Sequence, residues 1–120
     1  MTPEEFFAGS PLGAAVYGRV RALLPGCRVR TSRSQVAFSG RHGFAWLWRP
    51  GRYLRRPGAE VVLTVALGRR DPSPRWKEVV RPSPGAWVHH LELHDPAEVD
   101  DEVADWLVEA AGRAGAAVPR

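Results

Sequence analysis

The chain has 120 residues and 13.2 kDa, with 44% apolar and 25% charged side chains. One domain is expected at this length, and the composition is too polar for a membrane-spanning chain and too apolar for a disordered one. The formal net charge is +4, carried almost wholly by Arg, and the lone Cys27 excludes a disulfide within the chain.

Thr2-Pro3-Glu4-Glu5 predicts a helix start. Thr2 caps, Pro3 takes the first helical position, Glu5 closes a capping box, and Gly9 ends the segment. Ser10-Pro11 repeats the signal. Leu12, Val16, Val20, Leu23 and Leu24 then recur at helical spacing until Pro25-Gly26. From Val36 the period changes to two. Val36 and Phe38 alternate with Ala37 and Ser39, a turn falls at 40–43, and Phe44, Trp46 and Trp48 share one face opposite Ala45, Leu47 and Arg49. Pro50-Gly51 and Pro57-Gly58 bracket a basic loop. Val61 to Leu67 is apolar on both faces, which predicts a central strand. A Pro-rich turn (69–74), a short strand (76–80), a loop (82–85) and a last strand (87–94) follow. Asp95-Pro96-Ala97-Glu98 is another helix start, with Asp100 as an alternative cap. Val99, Val103, Trp106, Leu107 and Ala110 fall on one helical face.

This order predicts a single α+β domain over residues 1–120. N-terminal helices precede a curved antiparallel sheet of four to five strands, and a C-terminal helix packs on the sheet. The ordered core is expected over 3–112, with a frayed tail at 113–120.

Charge is divided along the chain. Residues 19–81 hold 15 basic and 3 acidic side chains, whereas residues 92–109 hold 8 acidic and no basic ones. Either the acidic segment folds back onto the basic one, or the two form separate faces. The start of the chain lacks the basic residues and apolar run of a signal peptide. The longest apolar stretch, 61–67, is far short of the ~20 residues that cross a bilayer. A cytoplasmic protein with no membrane partner is expected.

Three groups of residues bear chemistry. His90, Glu92 and His94 alternate onto one strand face at a spacing that suits a metal, but also suits a plain solvent-facing side. No Cys or Asp cluster supplies further ligands, so no metal and no cofactor are expected. His89 falls on the other face with Trp87, Leu91 and Leu93. His89 and His90 are the catalytic candidates, as general acid or base, although no nucleophile stands beside them. Phe44, Trp46 and Trp87 with His89 are the candidate lining of a small-molecule pocket. The third group is the basic, aromatic middle of the chain, Arg28, Arg30, Arg33, Arg41, Arg49, Arg52, Arg55 and Arg56 interleaved with Phe44, Trp46, Trp48 and Tyr53; Arg33, Arg41, Arg49, Arg52, Arg55, Arg56 and Trp48 are its anion-binding candidates. Arg in strands and hairpin loops beside aromatics can hold phosphates and stack bases. The competing account is an apolar strand face flanked by solvated charge. The turn Arg69 to Lys77 reads as a rigid connection, and Gly-rich phosphate loops of standard spacing are absent.

Several segments are similar to one family. They are Ser34-Gln35-Val36-Ala37-Phe38, Gly43-Phe44-Ala45-Trp46, Pro50-Gly51-Arg52-Tyr53-Leu54, Val62 to Leu67, Pro72-Ser73-Pro74-Arg75, Trp87 to Glu92 and the helix 100–110. In this order they resemble DUF5655, a bacterial domain of unknown function, over nearly the whole chain. The resemblance implies a small α+β domain and carries over no catalytic residue. Ser34, Phe38, Phe44, Trp87, His89 and His90 lie in its recurring motifs.

The residues favour a non-enzymatic binding module whose Arg-rich face recognises nucleic acid, a phosphate-bearing ligand or an acidic protein surface. The alternatives are the aromatic pocket as a ligand-binding or enzymatic site, and an interaction or assembly module. A monomer or weak homodimer fits each.

Overall fold

The structure, a computed structural model, describes residues 1–117. The N-terminal cap forms as the sequence predicts. The Thr2 hydroxyl accepts from the Glu5 N–H, and the Glu5 carboxylate accepts from the Thr2 N–H, which starts α1 (Pro3–Phe6). Ser10 accepts from Gly13 N–H and starts α2 (Pro11–Leu23). Val16 and Val20 of α2 are buried with Phe6, Phe7 and Leu24. Both later start signals operate. Asp95 caps a 3-10 turn at Pro96–Glu98, and Asp100 caps α3 (Asp101–Arg113).

Six antiparallel strands form one sheet: β1 (Arg28–Thr31), β2 (Val36–Ser39), β3 (Gly43–Trp48), β4 (Val61–Leu67), β5 (Glu78–Ser83) and β6 (Ala86–Leu93). Their spatial order is β1-β2-β3-β4-β6-β5, so the chain after β4 passes beyond β6 before the last hairpin returns it. The α+β class stands, with one strand more than expected. The extra one is β1, whose Arg-Val-Arg-Thr sequence offers one apolar side chain and no period-two signal. β5 starts at Glu78 rather than Trp76 and includes Pro82, which an edge strand tolerates. β4 is central and buried along its whole length.

Register separates two faces. Directly paired residues point the same way. One row, Val36, Leu47, Leu63 and Leu91, belongs to the core under the helices. The neighbouring row, Arg30, Ala37, Trp46, Thr64, His90 and Glu78, runs across all six strands on the opposite face. A bulge corrects the expected grouping of Phe44 with Trp46 and Trp48. Pairing jumps from Phe38–Ala45 to Ser39–Gly43, so Phe44 is the extra residue. Phe44 is fully buried in the core with Ala45, while Trp46 and Trp48 stay on the other side. Gly43 makes room for this: a Cβ there would lie 2.9 Å from the Trp46 ring.

The C-terminal segment is held further than expected. α3 continues to Arg113, and Ala114 is 1% exposed. Arg41 N–H donates to Ala114 O at 2.7 Å, and Ala116 N–H donates to Ala111 O at 2.9 Å. Gly40 permits the approach, since a Cβ there would stand 2.6 Å from Ala114 O. Fraying from residue 113 is therefore corrected: 113–117 are fastened to the β2–β3 turn and α3, and 118–120 lie outside the described residues.

Candidate functional site

The adjacent histidines of β6 have different fates, because alternation sends them to opposite faces. His89 is fully buried under the helices. Its Nε2 accepts the Asp71 N–H at 3.0 Å, and Nδ1 lies 3.1 Å from Trp87 O and 3.3 Å from Val65 O. Those partners assign the proton to Nδ1 and leave neither nitrogen free. Burial holds its pKa below the ordinary histidine value. Trp76 packs on the imidazole at 4.8 Å and on Trp106 at 4.1 Å between ring centroids. Asp71 accepts from Trp76 Nε1, Ser73 N–H and Arg69. Burial alone would raise its pKa, but these donors together hold it below the ordinary carboxylate value. His89 thus fastens the connection between β4 and β5.

The expected pocket of Phe44, Trp46, Trp87 and His89 is not one cavity. The bulge puts Phe44 in the core, and the register puts Trp87 and His89 on the covered face and Trp46 on the other. His89 therefore stands apart from any open cleft, and the arrangement gives it structural rather than acid–base work.

The face away from the helices carries the open chemistry. Trp48 Nε1–H donates to Thr64 Oγ1 at 2.9 Å, and Thr64 Oγ1 lies 2.8 Å from His90 Nδ1. The Thr64 hydroxyl thus joins the indole and the imidazole in one chain. Burial lowers the His90 pKa, opposed by the nearby Glu78 carboxylate. The His90 ring meets Trp48 edge-on at 6.2 Å, and Tyr53 lies 6.5 Å from Trp48. Shallow clefts flank this Trp48–Thr64–His90 chain. One, of about 290 Å³, is lined by Gln35, Trp46, Trp48, Thr64, Val88 and His90. The other, of about 260 Å³, has Trp48, Leu54, Val62, Lys77, Glu78, His90 and Glu92 on its walls. Sequence pattern pointed to Trp48 but missed Thr64. Its only signal was a hydroxyl in an otherwise apolar strand.

The arginine candidates divide by place. Arg33, Arg49, Arg52, Arg55 and Arg56 gather at the end of the sheet where β1–β2 and β3–β4 connect. Arg52 donates to Arg33 O at 2.7 Å and to Phe6 O at 3.1 Å, and its guanidinium lies 4.5 Å from the Phe6 ring centroid. Arg49 donates to Phe6 O and Ala8 O, each at 3.2 Å. These bonds satisfy carbonyls at the end of α1 without cancelling the charge. Arg55 and Arg56 are exposed in the loop, beside exposed Tyr53 and Leu54. Arg41 is separate, at the β2–β3 turn over Gly115. Arg28 and Arg30 of β1, members of the same basic segment, are exposed on the same face as Trp46.

The acidic helix neutralises a different basic group. Arg69 forms a two-pronged pair with Glu109 and also meets Asp71. Arg75 meets Asp100 and Glu102. Among the described residues, no ion pair joins Arg28, Arg30, Arg33, Arg41, Arg49, Arg52, Arg55 or Arg56 to a carboxylate. Two charged regions therefore coexist, and the basic one stays uncompensated.

His90 and Glu92 share the open face, while His94 lies past the end of β6. Among the described residues no three His, Cys, Asp or Glu side chains stand close enough to hold a metal ion. Cys27 is buried, its Sγ donates to Leu24 O at 3.1 Å, and burial raises its pKa, so the thiol is a packed one. Among the described residues no helix is long and apolar enough to cross a membrane.

No curated protein and no solved structure matches the chain. One family does: its profile, that of the domain of unknown function DUF5655, covers residues 4–111 of the 120. That span runs from α1 through all six strands to α3, so the chain belongs to the DUF5655 family.

Proposed function

We propose that the protein is a non-enzymatic binding module that takes a phosphate-bearing, anionic partner on the uncovered sheet face and the adjoining basic loop. The observation that carries this is the separation of charge. Asp100, Glu102 and Glu109 at and along α3 pair with Arg75 and Arg69, while Arg28 and Arg30 on the open aromatic face and Arg55 and Arg56 in the adjoining loop have no carboxylate partner among the described residues. A surface ion pair adds only ~0–1 kcal/mol, so stability alone is a poor reason to keep so many arginines. Arg suits phosphate because its planar fork donates two parallel hydrogen bonds. The catalytic alternative loses support, because His89 has both nitrogens occupied and the one hydroxyl beside His90 among the described residues, that of Thr64, is buried and already bonded to Trp48.

The test is the salt dependence of binding to fluorescent heparin and a fluorescent oligonucleotide. Each neutralised phosphate steepens the log–log salt slope by about 0.7–0.9, so affinity should fall more than about tenfold between about 50 and 200 mM salt. Affinity that barely changes over that range contradicts an electrostatic site.

A further inference from the structure

We infer that the partner is single-stranded nucleic acid, and that the cleft between Trp48 and Glu92 holds one unpaired base that carries an exocyclic amino group. This rests on the anion-binding reading and specifies it.

The cleft's construction carries the inference. The register aligns Trp48, Val62 and Glu92 in one cross-strand row on the open face. Val62 is the floor, while Trp48 and Glu92 stand on the strands to either side. Two strand spacings separate those backbones by about 10 Å, which leaves room for one flat ring and the group on its edge. The volume, about 260 Å³, falls below the ~300–1,000 Å³ of drug-sized ligand sites and suits a single base.

Both walls fit a base. Trp48 is pinned by its bond to Thr64, so its ring is a fixed stacking surface. Glu92 lies against Gly58, with no ion pair among the described residues, and its carboxylate can only accept. Cytosine, adenine and guanine present an exocyclic amino donor to such a group, whereas the exocyclic groups of thymine and uracil are carbonyl acceptors that repel a carboxylate and flank their single N3–H donor. Lys77 lines the cleft and supplies a cation for the attached phosphate, and Leu54 borders it from the exposed loop that also carries Arg55 and Arg56. A duplex cannot use these walls, because its bases are stacked and paired. A carboxylate beside the ring also disfavours a simple polyanion, which would meet only repulsion from Glu92.

The test compares four probes on the full chain: oligo-dC and oligo-dT of about 10 nucleotides, a duplex of the same length, and inorganic polyphosphate. Oligo-dC should bind about tenfold tighter than oligo-dT, and both tighter than the duplex. Glu92→Gln should bring the two single strands within about threefold, since an amide can accept from cytosine and donate to thymine. Arg55→Ala with Arg56→Ala, in an exposed loop where folding is not at stake, should weaken all four probes. Equal binding of duplex, polyphosphate and oligo-dC overturns the single-strand inference and leaves the anion-binding reading standing. Equal binding of oligo-dC and oligo-dT overturns the role of Glu92. No binding of any probe at low salt overturns both.

Discussion

His89 Nε2 accepts the backbone N–H of Asp71 at 3.0 Å, deep under Trp76 and α3. The bond joins β6 to the connection that must pass it on the way from β4 to β5. Replacing His89 by Ala strands a buried donor and opens a cavity beside Trp76. The expected cost is about 3 kcal/mol or more, measured by urea unfolding. A loss under about 1 kcal/mol would show that the connection is held by other contacts.

Arg52 and its neighbours should separate stability from binding. Arg52→Ala removes two donors to backbone carbonyls and the contact with the Phe6 ring, so it should cost about 1–2 kcal/mol. Arg55 and Arg56 hold nothing comparable. Changing both to Ala should leave stability within about 0.5 kcal/mol while lowering the salt slope of binding by about 1.4 to 1.8, the value for two phosphates. Equal salt slopes for the parent and the double variant would remove the loop from the interface.

Thr64 is the hinge of the open-face chain. Thr64→Val keeps the shape but removes the acceptor for Trp48 Nε1 and the partner of His90 Nδ1. Stability should fall by about 1–2 kcal/mol, and the Trp48 ring should lose its fixed orientation. Time-resolved tryptophan anisotropy reads the second effect, and unchanged anisotropy would contradict it.

Acid should weaken the fold in two stages. Burial keeps His89 and His90 below the ordinary histidine value, so the unfolded chain takes up protons first. Their contribution is complete above pH ~6.5 and is lost as pH falls below it. Asp71 and Asp100 lie below the ordinary carboxylate value, and their contribution is lost further down, below pH ~4. Urea midpoints should hold steady from pH ~8 to ~7 and then decline. A midpoint that rises between pH ~7 and ~5.5 would contradict the neutral state of both histidines.

Local chemistry made much of this fold readable. The capping boxes at Thr2 and Asp95, the helical spacing of Val16 and Val20, and the doubly apolar run at 61–67 each express a physical preference within a few residues. What escaped depends on distant partners. β1 is a strand because β2 offers it an edge, with Val29 as its single apolar side chain. The bulge at Phe38–Ser39 shifts Phe44 to the covered face, and the register leaves Trp46 opposite Trp87 and His89, which together dissolve the expected pocket. The site was half legible. Arg28, Arg30, Arg52, Arg55, Arg56 and Trp48 stand out in the sequence as a basic aromatic segment, and alternation puts Glu92 on the face of His90, while Thr64 and the row that joins Trp48 to Glu92 follow only from register. The acidic helix suggested internal neutralisation, and the pairing it makes, with Arg69 and Arg75, leaves the open face untouched.

Five tryptophans report on the two faces at once. Trp46 and Trp48 lie on the uncovered side, whereas Trp76, Trp87 and Trp106 lie on the side of the helices. The most direct test follows their indole N–H signals in a nitrogen-15 NMR titration with oligo-dC at low salt. Binding on the open face predicts that the signals of Trp46 and Trp48 shift together while the other three stay in place. Shifts confined to Trp76, Trp87 and Trp106 would put the partner on the helical side and contradict the account.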